Sequence, residues 1–389
     1  MDGAKFAKML SDKHLFELDR MEYKYSVSSV NEFTELLRQN FAQSLPLVDF
    51  SSDELFYLPN LARISTNGMK QLLSAPASNQ SFGLQAMTEE IHATFQIESI
   101  HSSRNSIRHI LNGYAPRNEE ESRIYGMKRG LDFIADRQNT ITEENLHQLY
   151  QISTGDYLPD EDRLLPDHFY RHDVVYVVDG EESREGLPAQ QLPDAMKRLV
   201  DFANAKDGIN ELHKAAILHF AFAYYHPYFD GNGRTARLLH LWYLVQQDYP
   251  AALFTPFSRY IAESKAAYYK AYDRVEKNAL ISGYTDITPF LSYFCNEVYN
   301  RMQVDAAPPQ ADLQVYQTAL AEGKITEKER LLWEYVLSAY GTEEFTTKQL
   351  EKDFRNAAYA TIRTFVMKFH EMELLVARKT GNRVFYKVK

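Results

Sequence analysis

Two apolar stretches joined by a short polar and aromatic segment constrain this chain most. Leu212, Ala215, Ala216, His219, Phe220 and Ala223 recur at helical spacing, and Ile217, Leu218 and Phe222 fill most of the remaining surface. A helix that is apolar nearly all round has no face to turn to water, so it belongs at the centre of the molecule. Pro227 ends it, because proline supplies no backbone donor and disfavours a helical predecessor. Leu238, Leu239, Leu241, Trp242, Leu244 and Val245 form a second such helix, predicted to begin just after Gly233. Two buried helices in succession imply a mainly α fold.

The connecting segment, His226 to Arg237, reads HPYFDGNGRTAR. Its glycines let free backbone N–H groups at a helix N-terminus approach a ligand closely, which makes an anion cradle. Arg234 and Arg237 stand at i and i+3 on the first turn. The helix dipole disfavours a cation there by roughly 0.3–1 kcal/mol, so a pair of them points to a bound polyanion. Asp230 is an oxygen ligand suited to Mg²⁺ that keeps phosphate and water in its shell. His226 is suited to act as general base toward a neutral hydroxyl. Together these residues are equipment for phosphoryl or nucleotidyl transfer. A lone GNG would more often be an ordinary turn, and it is the whole stretch that carries the reading.

The segment resembles the signature of the Fic family, H-P-F-x-[D/E]-G-N-G-R-x-x-R, with Tyr228 where phenylalanine is usual. The added hydroxyl needs a partner if buried. Most enzymes of that family transfer AMP from ATP to a hydroxyl side chain of a target protein. Residue by residue, the resemblance implies that His226 deprotonates the target hydroxyl and that Asp230 holds Mg²⁺. It also implies that Gly231, Asn232 and Gly233 cradle phosphate oxygens, and that Arg234 and Arg237 fix the β- and γ-phosphates.

Upstream, Leu84, Met87, Ile91, Phe95 and Glu98 fall on one helix face, placing an acid in line with an apolar stripe. An unpaired carboxylate there would cost several kcal/mol or take up a proton, so Glu98 is expected to find a cationic or hydrogen-bonding partner. Thr94 to Ser99, TFQIES, resembles the family's inhibitory motif [S/T]-x-x-x-E-[G/N], with Ser99 in place of glycine or asparagine. The resemblance implies that Glu98 pairs with Arg237 and keeps the γ-phosphate from its productive place, with Thr94 as the other signature residue.

Phe169 to Pro188 reads as a strand over Val174 to Val178, a turn at Asp179 and Gly180, and a return. In the family a hairpin here, the flap, pairs with the target and aligns its Tyr, Ser or Thr hydroxyl. Tyr268 and Tyr269 resemble the paired aromatics that line the adenosine pocket, and Glu276 stands where asparagine is frequent. A homodimer is a further expectation from resemblance.

The rest of the chain divides by composition. Residues 1–80 read as a mostly helical arm with a helix over Ser29 to Asn40, and the loop-rich SAPASNQS at 74–81 marks its end. Residues 81–305 are the expected Fic core, nearly all helical apart from the flap, and 306–325 a linker containing AAPPQAD. Within 326–389, Glu327–Ala339, Thr347–Phe354 and Ala358–Glu371 read as helices, followed by two strands around a Gly-Asn turn. That layout resembles the winged helix-turn-helix module of many bacterial Fic proteins. Residues 377–389 carry Arg378, Lys379, Arg383, Lys387 and Lys389 and no acid, which suits a phosphate backbone. Residues 322–389 nevertheless hold thirteen basic and ten acidic groups, a weak excess for a DNA binder.

A net charge of −10 argues against a nucleic-acid-coating surface overall. The single Cys295, in apolar PFLSYFCNEV, excludes an intrachain disulfide and reads as core. No HExxH, apolar leader or run of transmembrane length occurs, so a cytoplasmic protein without a membrane partner is the expectation. Two readings follow: an autoinhibited adenylyltransferase using ATP and Mg²⁺, and a DNA-binding regulator whose Fic core senses a nucleotide. Removal of AMP from a modified target uses the same residues and is not separable from transfer by sequence.

Overall fold

The structure is a computed structural model that describes residues 1–65, 80–179, 182–302, 316, 318–320, 322–340, 344–381 and 383–389. Two helices lie at its centre, α9 (Glu211–Tyr225) and α10 (Asn232–Gln246), packed antiparallel against one another. Nearly every residue of both is buried, as an all-round apolar helix requires. Around this pair stand α4 (Gln80–Ile97), α6 (Glu119–Ala135), α7 (Glu143–Ser153), α8 (Leu192–Asn204) and α13 (Thr288–Tyr293), which continues as a π-helical turn through Asn300. Also in this layer are α5 (Arg104–Leu111), α11 (Phe257–Glu263) and α12 (Lys265–Ser282). One large apolar cluster runs through the assembly, and Cys295 sits inside it, its thiol pushed up to about 12 by burial.

The N-terminal arm contains α1 (Gly3–Leu10), α2 (Leu18–Tyr25) and α3 (Val27–Phe41), with a small core of Met9, Leu18, Met21, Val30 and Phe33. It is fastened to α12 through Asn278, which accepts from Leu18 N at 3.1 Å and donates to Phe16 O at 3.1 Å. Beside its three helices the arm also carries strands. Residues 43–57 make a hairpin of β1 (Gln43–Val48) and β2 (Glu54–Tyr57), and Leu45, Leu47, Leu55 and Tyr57 join the main core. The loop expected at 74–79 lies outside the described residues, whereas Gln80 and Ser81 already belong to α4.

The flap is β3 (Tyr176–Asp179) paired antiparallel with β4 (Glu182–Glu185). It starts at Tyr176, two residues later than the Val174 start read from the valine run. The turn residue Gly180 lies outside the described residues.

At the C-terminus, α14 (Glu327–Ala339), α15 (Thr347–Phe354), α16 (Tyr359–Glu371) and the β5 (Leu375–Thr380) and β6 (Arg383–Val388) hairpin close over their own core around Leu332, Phe345, Phe365 and Phe369. A reciprocal cap between Thr326 and Glu329 starts α14. Most of 306–325 lies outside the described residues. Helix α14 lies along α4, whose Leu84 packs on the C-terminal core. Arg355 sits 3.4 Å over the ring of Tyr114, just beyond α5. Among the described residues no helix is long and apolar enough to cross a membrane, and no group of acids, histidines or cysteines forms a ready metal cluster.

Candidate active site

The residues singled out by sequence converge where α9 gives way to α10. Helix α9 stops at Tyr225, and His226 takes the left-handed conformation, φ 55° and ψ 60°. The chain thereby turns before Pro227, and the imidazole Nδ1 lies 3.3 Å from Ala223 O. Tyr228 then plunges into the core and stacks on Tyr150 with ring centroids 3.6 Å apart. The partner expected for its hydroxyl does not materialise among the described residues. Burial pushes that hydroxyl well above the usual tyrosine range.

Helix α10 begins at Asn232, two residues earlier than read from the sequence, with Gly231 as its cap at φ 81°. A left-handed cap is what glycine tolerates without Cβ crowding. The amide of Asn232 accepts from Tyr228 N at 2.9 Å and donates to Tyr228 O at 2.8 Å, which closes the loop on itself. Its side chain is therefore a fastener, and a ligand would meet the segment through backbone groups. At Gly233 an added Cβ would lie 2.7 Å from Glu98 Oε1 and 3.1 Å from Arg237 Nη1, so any larger residue would collide with the charged cluster.

That cluster joins five side chains from two segments far apart in sequence, 94–98 and 230–237. Glu98 Oε2 lies 2.6 Å from Arg234 Nε, and Glu98 Oε1 accepts from Arg237 Nη2. Arg237 also donates through Nε to Thr94 Oγ1 and through Nη2 to Thr94 O, the latter at 3.3 Å. Arg234 Nη2 reaches Asp230 Oδ2 at 2.8 Å. Both arginine side chains are 3% exposed and Glu98 17%, so these ion pairs are largely shielded from water and screened weakly by salt. Carboxylates thus offset the unfavourable placement of two cations on the first turn of a helix. Glu98 bridges both guanidinium groups, one more than the resemblance implied.

Backbone geometry explains how Glu98 gets there. Ser99 N donates to Gln96 O at 3.1 Å and Ile100 N to Phe95 O at 2.9 Å, with Ser99 at φ 59°. This is the Schellman end of a helix, with Glu98 as last half-helical residue and Ser99 in the left-handed position. About two turns upstream, Glu90 accepts from Ser258 N at 2.9 Å and from Ser258 Oγ, tying α4 to the start of α11.

A cavity of about 490 Å³ opens beside the cluster. Its lining combines Glu98, His226, Asp230, Gly231, Asn232, Gly233 and Arg237 with Tyr268, Tyr269, Tyr272, Glu276 and Leu280 of α12 and with flap residues Tyr176 and Val177. Tyr268 is core as much as lining, since its hydroxyl lies 2.8 Å from His219 Nε2 and burial pushes it up to about 12. Tyr269 is partly buried and donates to Ile97 O at 3.4 Å. Sequence reading missed Tyr272 and Leu280. The signal was present, because Tyr268, Tyr272, Glu276 and Leu280 recur every fourth residue along one face of α12. The volume falls in the range of small-molecule sites.

A family model described as Fic/DOC family matches residues 140–244. The protein adenylyltransferase fic-1 of Caenorhabditis elegans is 29% identical over 102 residues, 26% of this chain and 18% of that protein. The protein adenylyltransferase Fic of Nematostella vectensis is 27% identical over 141 residues, 34% of this chain and 31% of that protein. The chain spans less than a third of the length of these relatives. A solved Fic family protein from Desulfovibrio desulfuricans shares the fold with a TM-score of 0.52 at 18% identity, covering 85% of this chain and 95% of that one.

Proposed function

The chain carries a Fic/DOC family domain over residues 140–244, and from that premise we propose that it is an autoinhibited protein adenylyltransferase, moving AMP from ATP to a hydroxyl of a target protein. The observation that carries the proposal is the single carboxylate of Glu98 laid across Arg234 and Arg237 at the mouth of the cavity. A pair of buried guanidinium groups holding one carboxylate is a site for a strong anion, and a terminal phosphate competes for it.

In this reading ATP lies with its adenosine between Tyr269, Tyr272 and Leu280 and its phosphates toward Gly231 to Gly233. The His226 imidazole takes the proton of the target hydroxyl as the hydroxyl oxygen forms a bond to the α-phosphorus. The bond from that phosphorus to the bridging oxygen breaks, and pyrophosphate leaves with its charge held by Arg234 and Arg237. Asp230, half-exposed at the cavity, fits Mg²⁺, which is bound through one or two carboxylates while phosphates and water complete its shell. When bound there, the ion would neutralise phosphate charge. The flap is the docking edge for the target segment, with Tyr176 61% exposed at its start.

Glu98 keeps this machinery off by occupying the terminal phosphate's partners. The test is Glu98→Gly protein incubated separately with ATP labelled at the α- and at the γ-phosphate, followed by intact-mass analysis for self-modification. Label kept from the α position supports AMP transfer. Label kept from the γ position would replace it with kinase-like chemistry, and no label together with salt-dependent retention of duplex DNA would favour the regulator.

A further inference from the structure

The segment that precedes the flap holds an arginine that the proposed chemistry does not use. Arg171 is 2% exposed, with no salt bridge to a carboxylate among the described residues, although the charge of nearby Asp173 favours its cationic form. Its charge is met by main-chain carbonyls: Nε donates to His226 O at 2.7 Å, Nη1 to Asp173 O at 2.6 Å, and Nη2 to Leu187 O. Asp173 lies just before β3 and Leu187 just after β4, so one guanidinium grips both feet of the flap and the carbonyl of the histidine. The backbone repeats the connection. Arg171 N donates to Pro227 O at 2.9 Å, and Leu187 N to Tyr225 O at 3.2 Å.

Three physical considerations give this contact its consequence. A non-glycine residue in the left-handed region costs about 1–2 kcal/mol, so His226 stays at φ 55° only because its surroundings hold it. Its carbonyl also belongs to the C-terminal end of α9, where acceptors are left over and the helix dipole favours a cation. A planar guanidinium donates in several fixed directions at once, which an ammonium does not reproduce. Gly186 supplies the room, since a Cβ there would lie 2.8 Å from Arg171 Nη2 and 3.3 Å from the His226 Cβ.

We propose that Arg171 is a positioning residue for the proposed base: it holds His226 in the backbone conformation that presents the imidazole to the cavity, and it registers the flap, with any target strand paired to it, against that imidazole. This rests on the proposed transfer reaction for its kinetic consequence, though its structural consequence stands apart.

The test compares Arg171→Lys and Arg171→Gln in Glu98→Gly protein. Self-modification is followed by intact mass at saturating Mg·ATP, and binding of a non-hydrolysable ATP analogue by calorimetry. The His226 ring is followed by NMR, and the flap feet by hydrogen exchange. The expected result is a maximal rate at least about tenfold lower in both variants, with analogue affinity within about twofold because misplacement of the base leaves the phosphate partners intact. The His226 ring signal should move, and exchange should rise around Asp173, Gly186 and Leu187 while α10 stays protected. An unchanged rate and ring signal would overturn the proposal. So would loss of analogue binding or of the fold in both variants, which would make Arg171 a stability residue. If Glu98→Gly protein shows no transfer at all, the functional reading fails, and the ring signal and exchange still decide whether Arg171 holds the histidine.

Discussion

Single residues carry the sharpest consequences. Replacing Glu98 by glycine removes the carboxylate that spans Arg234 and Arg237. Transfer is expected to rise at least about tenfold, which asks only about 1.4 kcal/mol of the barrier. His226→Ala in that background should abolish transfer while analogue binding, measured by calorimetry, stays nearly intact. Tyr228→Phe tests a different feature. A buried hydroxyl left without a partner costs about 1–3 kcal/mol, and that of Tyr228 has none among the described residues. The variant should therefore unfold at higher denaturant concentration, and a lower midpoint would show that the hydroxyl is satisfied by bound water. At this scale the site was largely legible, because Arg234 and Arg237 are misplaced charges on a helix N-terminus and Glu98 a misplaced acid on an apolar stripe. The part of Asn232 was not legible. Its amide serves Tyr228 across a loop whose closure depends on backbone angles that no spacing rule encodes.

Elements decide how these residues are held. The left-handed Ser99 that ends α4 would be relieved by glycine, the residue tolerated there at least cost. Ser99→Gly should raise thermal stability modestly and lower basal transfer, because it sets the end of α4 more firmly in the conformation that aims Glu98. Helix α10 carries a second testable feature, the buried histidine His240, whose Nε2 is 2.8 Å from the Tyr299 hydroxyl. Burial holds its pKa at about 3, below the ordinary 6.5. Neutral His240 therefore adds stability above pH 6.5 that is lost as pH falls toward 3, at most on the order of 5 kcal/mol. His240→Gln should flatten that part of the pH–stability curve in chemical denaturation, and an identical slope would refute it. Helices were readable from periodicity, since α9 and α10 are apolar all round and α14 to α16 carry clear stripes. The β1 and β2 hairpin was not, although Leu45 and Leu47 alternate as a strand requires. Pro46 between them argues against a central strand, and the pairing accommodates it where the register breaks between Ser44 and Val48, a bulge that no spacing rule encodes.

Across the whole molecule, the C-terminal helices bear on the site through α4. Leu84 packs on their core, α14 lies along α4, and Arg108 of α5 sits 5.3 Å over the Tyr340 ring. Removing residues 316–389 would uncover this face and loosen the helix that delivers Glu98. Transfer by the truncated chain should exceed that of the intact one, and equal rates would show that α4 holds its place unaided. In the basic hairpin Arg378 is paired with Glu344 and Lys389 with Glu373, exposed ion pairs of little net strength. The packing of the last part of the chain on α4 depends on tertiary contacts that composition does not carry. The central claim is that Glu98 and a terminal phosphate compete for Arg234 and Arg237, and calorimetric titration of Mg·ATP and Mg·ADP into the native protein and into Glu98→Gly tests it without knowledge of the target. The account predicts that ATP gains affinity over ADP only once the carboxylate is gone. The same ATP-to-ADP ratio in both proteins would contradict it.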